Sequence, residues 1–418
     1  MKRRDVIKSL ALLPFAGSVL PIESLVATPA KKERIPSLTQ RQESPLHREA
    51  FVMDGHVHVM SRQLLQGLDI GDRYSDGTVD LPRAIEGGLD AMFFSVYTEE
   101  DYYPGRHEVK NTFRVVELAL EQIEKNNDVI ELALTASDIE RINRRDKMAA
   151  FLDLEGAFDL EGDLHLLRAL YRLGLRSAQL TAHNVTNAFI DATAAKRRWG
   201  GINDLGRTII AEMNRLGMVI NVAHASDEGI YQAVEASDYP VAYTHGGFRG
   251  IVDHPRCITD ENAVALAAKG GVIGIQFGNV FNNPKFSKWT STSPLPPTPG
   301  APNMETDPSL TIAEVDSQVA AGLPFTFRSH IPDEYRMSVD QLARVIDYGV
   351  QLVGEDHIAL GADFDGGPKL PHEIETISDY PQITLAMQRL GYSEERIKKI
   401  LGLNWLRLIR QVTEGNEE

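Results

Sequence analysis

The sequence predicts an α/β protein folded as a single (β/α)8 TIM barrel, and three observations predict it. Eight short, apolar, β-rich runs alternate along the chain with helix-patterned stretches. Histidines and carboxylates recur at the carboxyl ends of most of those runs. No G-x-G-x-x-G follows the first run, which argues against an open doubly wound sheet, the other architecture that alternates strand and helix.

The runs lie at 51–59, 91–97, 149–154, 177–181, 219–223, 241–244, 272–277 and 358–363. Most are nearly continuous in apolar residues, as parallel strands covered on both faces should be. Helices are expected at 109–126, 204–216, 227–236, 260–268 and 338–353, with Asp204, Asp227, Asp260 and Ser338 placed as N-caps. Residues 281–336 break the rhythm. Thr290 to Pro302 within them is too rich in proline for a helix, and the segment is too long for an ordinary connection. It reads as an insertion between the seventh and eighth strands, either on the rim of the site or as a passive surface loop. Beyond residue 374 further helices are expected, one of them opened by Ser393-Glu394-Glu395.

The N-terminus has a different character. Lys2-Arg3-Arg4-Asp5-Val6-Ile7-Lys8 precedes an uncharged, largely apolar run over residues 9–20. A basic segment before a short apolar one reads as a signal peptide, and the paired arginines resemble the twin-arginine export motif. The expectation is a signal peptide over 1–30, a linker over 31–48, a barrel over 49–418, and a periplasmic or envelope-associated location. No span crosses the membrane in the mature chain on this reading.

Composition limits the function classes. The 418 residues are 43% hydrophobic and 24% charged, enough apolar material for a full core. The net charge of −16 disfavours a nucleic-acid partner, which requires a basic surface. Cys257 is the single cysteine, so neither an intrachain disulfide nor a cysteine-based zinc site can form.

The chemistry lies at the strand ends. The first strand closes with Asp54-Gly55-His56-Val57-His58, and the third with Asp153-Leu154-Glu155-Gly156. The fourth leads into His183, the fifth ends at His224, the sixth at His245, and the eighth at Asp363-Phe364-Asp365. In a barrel these ends converge on one face. His56 and His58 are two residues apart, so on a strand they point the same way and can share an ion. Imidazoles with one carboxylate suit Zn²⁺ first, with Fe, Mn or Co also compatible. Four histidines with Glu155 and Asp363 exceed the needs of one tetrahedral ion and point to a two-metal centre bridged by Glu155.

The sequence resembles the membrane dipeptidase (renal dipeptidase, peptidase M19) family of metal-dependent hydrolases. The resemblance is densest in Glu212-Met213-Asn214-Arg215-Leu216-Gly217-Met218, Ala223-His224-Ala225-Ser226 and Pro240-Val241-Ala242-Tyr243-Thr244-His245. It continues in Asp253-His254-Pro255-Arg256, Gly270-Gly271-Val272-Ile273-Gly274 and Gly361-Ala362-Asp363-Phe364-Asp365-Gly366. It implies a (β/α)8 barrel with two zinc ions that hydrolyses dipeptides through a metal-bridging hydroxide. His56 and His58 would hold one ion, His224 and His245 the other, and Glu155 would bridge them. His183 would bind the substrate carbonyl and stabilise its oxyanion, Arg256 would bind the substrate carboxylate, and Asp363 would carry the proton. The chain departs from the family pattern at His58, where the family has Asp, at Ala223 in place of Ser, and at Cys257 in place of Asn. Two other functions compete: an amidohydrolase acting on another amide, lactam or lactone, and an exported binding protein without turnover. A homodimer is compatible with all three.

Overall fold

A computed structural model describes residues 44–60, 67–75, 77–98, 108–181, 186–193, 196–292 and 332–415. Among the described residues, nine parallel strands form one sheet: β1 (Met53–Val57), β2 (Ala91–Tyr97), β3 (Ile130–Leu132), β4 (Met148–Glu155), β5 (Ser177–Gln179), β6 (Val219–Asn221), β7 (Ala242–Gly246), β8 (Val272–Ile275) and β9 (Ile358–Leu360). Eight of them follow one another in the order β1-β2-β4-β5-β6-β7-β8-β9. The ends of this series meet: His58 N–H donates to the Phe364 carbonyl at 2.9 Å and Asp363 N–H to the His56 carbonyl at 2.9 Å. The chain is therefore a (β/α)8 barrel, as the alternation predicts.

β3 was not expected. Its three residues pair with Met148–Ala150 of β4, on the edge that β5 takes over from Asp153 onward. A run of three residues is too short to carry a period of its own. Helix N-caps also differ. Asn203, Ser226 and Thr259 accept the capping hydrogen bonds, one residue before Asp204, Asp227 and Asp260. The three aspartates sit in the first turn, where negative charge complements the helix dipole. Ser338 is a cap, with a reciprocal bond from Gln341. Residues 44–48, assigned to a linker by sequence, belong to the folded body. The helix Pro45–Glu49 docks through buried Leu46 and His47, and the His47 ring lies 2.7 Å from Thr384 Oγ1 and 2.8 Å from the Gly87 carbonyl.

The core has two compartments. The larger lies between the strands and the surrounding helices. The smaller fills the barrel floor: Met53, Ala91, Phe93, Ala149, Phe151, Val219, Ala242, Val272 and Ala359 pack against Trp405, Leu408, Ile409 and Val412 of the helix Asn404–Thr413. Trp405 is the plug, and its Nε1–H donates to the Leu360 carbonyl at 2.9 Å. Removing an aromatic from such a position costs about 3–5 kcal/mol. Above it, a Cβ on Gly274 or Gly361 would lie 1.9 or 1.8 Å from the Thr244 carbonyl oxygen, so both positions require glycine.

This filled floor positions the site. Alternation on β4 brings Ala149, Phe151, Asp153 and Glu155 to one face in turn, so the wall runs from apolar at the floor to acidic at the mouth. On β9 the same rule takes Ala359 and Gly361 up to Asp363. Most of the proline-rich insertion, residues 293–331, lies outside the described residues. Its flanks are joined by an Asn283 Nδ2–H bond to the Tyr335 carbonyl at 2.8 Å and by stacking of Trp289 on Tyr335. Among the described residues no helix is long and apolar enough to cross a membrane.

Candidate metal centre

Among the described residues, six side chains from five strands meet at the barrel mouth. His56 Nε2 and His58 Nε2 are 3.2 Å apart, and each lies 3.1 Å from Glu155 Oε2. Opposite them, His224 Nε2 and His245 Nε2 are 3.0 Å apart, at 3.5 and 3.9 Å from Glu155 Oε1. Asp363 Oδ1 completes the first group at 3.2 Å from His58 Nε2. All six residues are buried. His183 lies outside the described residues.

Local backbone explains how such short strands deliver these groups. The β1 register shifts between Asp54 and Val57, which turns the end of the strand into the mouth. His224 and Asp363 hold left-handed backbones, with φ of 65° and 67°. Non-glycine residues seldom adopt that region, and it is tolerated where surrounding bonds fix it. Here the His224 carbonyl accepts from Thr193 N–H at 2.9 Å, and Asp363 N–H is held by His56.

The donor set fits divalent ions. Ligand atoms around a tetrahedral zinc with bonds of about 2.0–2.1 Å stand about 3.3–3.5 Å from one another. The spacings within each histidine pair and to Glu155 bracket that value. Two imidazole nitrogens facing each other at 3.0 Å, with a carboxylate oxygen in front, direct lone pairs to a common point. Glu155 divides its two oxygens between the two pairs. The potential ligand atoms of His56, Glu155 and His245 lie within 4.8 Å of one another, as do those of His56, His58 and Asp363.

The charges are strongly coupled. Burial disfavours charge on His56 and His58, but the Glu155 carboxylate, with Asp153 beside His56 and Asp363 beside His58, overrides it. His56 is raised to about 9 and His58 to about 10. Burial opposes the charge on Glu155 too, yet the two rings and His224 hold its carboxyl well below the usual carboxylate range. Burial and then the neighbouring His56, Arg256 and His224 push His245 well below the ordinary imidazole value.

These charges couple metal uptake to proton release. Nitrogen must be unprotonated to coordinate, so binding near neutral pH should release about two protons per chain, with affinity falling as pH is lowered. Calorimetry in buffers of different ionisation enthalpy measures this, and binding without proton release would exclude protonated His56 and His58. Because both values lie above 6.5, the charged pair stabilises the metal-free fold fully below about pH 6.5. That contribution should be lost as pH rises through about 9 to 10.

Arg256 is buried beside this centre. Its Nη1 donates to the Tyr243 hydroxyl at 2.9 Å and its Nη2 to the His245 carbonyl at 3.0 Å, while Nε is buried without a partner among the described residues. Tyr243 in turn donates to the Arg256 carbonyl at 2.6 Å, and burial raises its phenol to about 12. Two of the five guanidinium N–H groups are thus engaged by the described residues.

Several residues at the site have no role assigned from the sequence. Ser95 Oγ donates to Glu155 Oε2 at 2.8 Å, and Gln276 Nε2 donates to Asp363 Oδ2 at 2.6 Å. Asp153 Oδ2 lies 3.7 Å from His56 Nδ1. Asp153 carried a usable signal, since it precedes Glu155 by two on one strand. Ser95 and Gln276 carried none.

Residues 40–418 match the membrane dipeptidase family, peptidase family M19. Dipeptidase tcpJ of Claviceps purpurea is 29% identical over 86% of this chain and 76% of its own length. Dipeptidase 3 of Rattus norvegicus is 26% identical over 91% of this chain and 68% of its own. Among solved structures, the probable dipeptidase PvdM of Pseudomonas aeruginosa superposes with a TM-score of 0.72 at 22% identity, covering 88% of this chain and 97% of its own. A metallo peptidase of Rhodobacter sphaeroides, solved with a phosphinate mimic of the dipeptide L-Ala-D-Ala, gives 0.68 at 22%, covering 87% and 99%. At that identity the two structures establish the shared fold.

Proposed function

We propose, from the premise that the chain belongs to the membrane dipeptidase family, that it is a metal-dependent dipeptidase whose barrel mouth holds two divalent ions, zinc foremost. The observation that carries the reading is Glu155, with one oxygen toward His56 and His58 and the other toward His224 and His245. Ions bound there would acidify a water molecule and polarise the scissile carbonyl.

The chain's own residues do the rest. Hydrolysis adds the water hydroxyl to the carbonyl carbon and returns its proton to the departing amine. Asp363 is the carrier of that proton: Gln276 fixes its Oδ2, and its Oδ1 faces the mouth. His183 is assigned to the carbonyl oxygen, where a donor stabilises the charge that develops. Arg256 is assigned to the free carboxylate of the substrate through its remaining N–H groups. No covalent bond to the enzyme is needed.

The engagement of Arg256 by Tyr243 and His245 favours a second reading, in which the substrate is another amide, a lactam or a lactone without a carboxylate. Metal-replete enzyme assayed on L,L and L,D dipeptides and on their C-terminal amides separates the two. Dipeptides should be turned over and the amides poorly. Arg256→Lys should lower kcat/KM for dipeptides at least tenfold, about 1.4 kcal/mol. Equal turnover of a dipeptide and its amide would overturn carboxylate recognition.

The paired Arg3 and Arg4 ahead of an apolar run support export by a twin-arginine route. Replacing both by Lys should retain uncleaved chain in the cytoplasm, and normal export would point to the general secretory route.

A further inference from the structure

Beneath the mouth lies a layer of buried polar side chains that contact no solvent and stand below the ligand positions. Asn221 of β6 is fully buried at its centre. Its Oδ1 accepts from Ala223 N–H at 3.1 Å and Thr244 N–H at 3.4 Å. Those two donors fix which end of the amide is oxygen, so Nδ2 must face the other side. There it donates to Asp153 Oδ2 at 3.1 Å and to Thr244 Oγ1 at 2.8 Å. Both amide hydrogens are used, on two different strands.

Each acceptor leads to a different histidine pair. Thr244 Oγ1 lies 3.0 Å from His245 Nδ1. Asp153 Oδ2 lies at the ion-pair distance of 3.7 Å from His56 Nδ1. An imidazole that presents Nε2 as a lone pair carries its proton on Nδ1, and an acceptor at Nδ1 selects that tautomer and orients the ring. Thr244 is that acceptor for His245, and Asp153 stands within ion-pair reach of a His56 Nδ1 that has no hydrogen-bond partner among the described residues. The two rings they serve stack on one another, with centroids 3.7 Å apart and planes at 19°.

We propose that Asn221 is a positioning residue that couples the two metal half-sites, through Asp153 to His56 and through Thr244 to His245. The inference rests on the two-ion reading. Asn221 touches neither a ligand atom nor substrate. It acts by holding Asp153 and Thr244 in place with one rigid amide, so its loss reaches both half-sites together, whereas loss of either arm reaches one.

The test measures stepwise Zn²⁺ affinities by chelator competition, the visible spectrum of the Co²⁺-loaded protein, and the melting midpoint of the metal-free form. Asn221→Leu keeps the volume and removes both donors. It should weaken both ions by about 10–100-fold and shift the cobalt bands. Thr244→Val should weaken only the ion held by His224 and His245, by about tenfold. An Asn221→Leu protein that binds both ions as wild type does, or loses affinity for one alone, overturns the coupling. A lowered metal-free midpoint with unchanged affinities and cobalt spectrum also overturns it, since that is packing alone. If Asn221→Leu does not fold, Thr244→Val decides: selective loss supports the relay, and no loss or equal loss of both ions overturns it. Wild-type protein that takes up a single ion overturns the two-ion reading itself, and the coupling with it.

Discussion

Glu155→Gln should strip both ions from the protein and reduce kcat/KM by more than about a hundredfold. The carboxylate stands between the two histidine pairs, with Oε2 at 3.1 Å from His56 and His58 and Oε1 at 3.5 Å from His224. An amide has one acceptor oxygen and no charge, so at best one pair keeps an oxygen while the other meets an N–H. Substituting groups that only orient a ligand costs about 10–100-fold in affinity or activity, and a shared ligand should exceed that. The glutamine is isosteric, and Ser95 can still bond it, so the fold should persist. Metal analysis beside circular dichroism of the same sample checks the result. If the Glu155→Gln protein folds and still holds two ions, the bridging role is overturned.

Asp363→Asn should lower kcat by about 10²–10⁴ while leaving metal content and KM close to wild type. The backbone makes this substitution informative. Asp363 sits at φ 67°, a region that asparagine tolerates, so the loop need not move. Gln276 can still bond the amide oxygen. What disappears is the ability to take and return a proton near the reacting atoms. Steady-state kinetics with metal analysis separate the outcomes. A fall in kcat that tracks metal loss would make Asp363 a ligand, and full activity would exclude it from proton transfer.

Arg256 illustrates how a residue can be named by sequence and yet be read incompletely. Its place beside His254-Pro255 marks it as a substrate contact by resemblance. Only the folded chain places Tyr243 and the His245 carbonyl on its Nη atoms. Tyr243 comes from 13 residues earlier, across a turn that Arg249 braces by bonds to Asp227 and to the Cys257 carbonyl.

Much of the architecture was legible in the chain itself. Eight apolar runs lie on the eight strands of the barrel, and His56, His58, Glu155, His224, His245 and Asp363 could be named as a set because each ends or follows one of them. Those features are local: strand periodicity assigns a face, and hydrophobic content assigns burial. The tertiary structure decided the rest. It placed β3 beside β4, brought Ser95 to Glu155 and Gln276 to Asp363, and set Asn221 between Asp153 and Thr244. It also made the helix Pro45–Glu49 part of the body. These pairings depend on the register between neighbouring strands and on the closure of β1 against β9. Register and closure are fixed by packing of the whole barrel around Trp405 and the floor beneath the site, and no local pattern of residues encodes them.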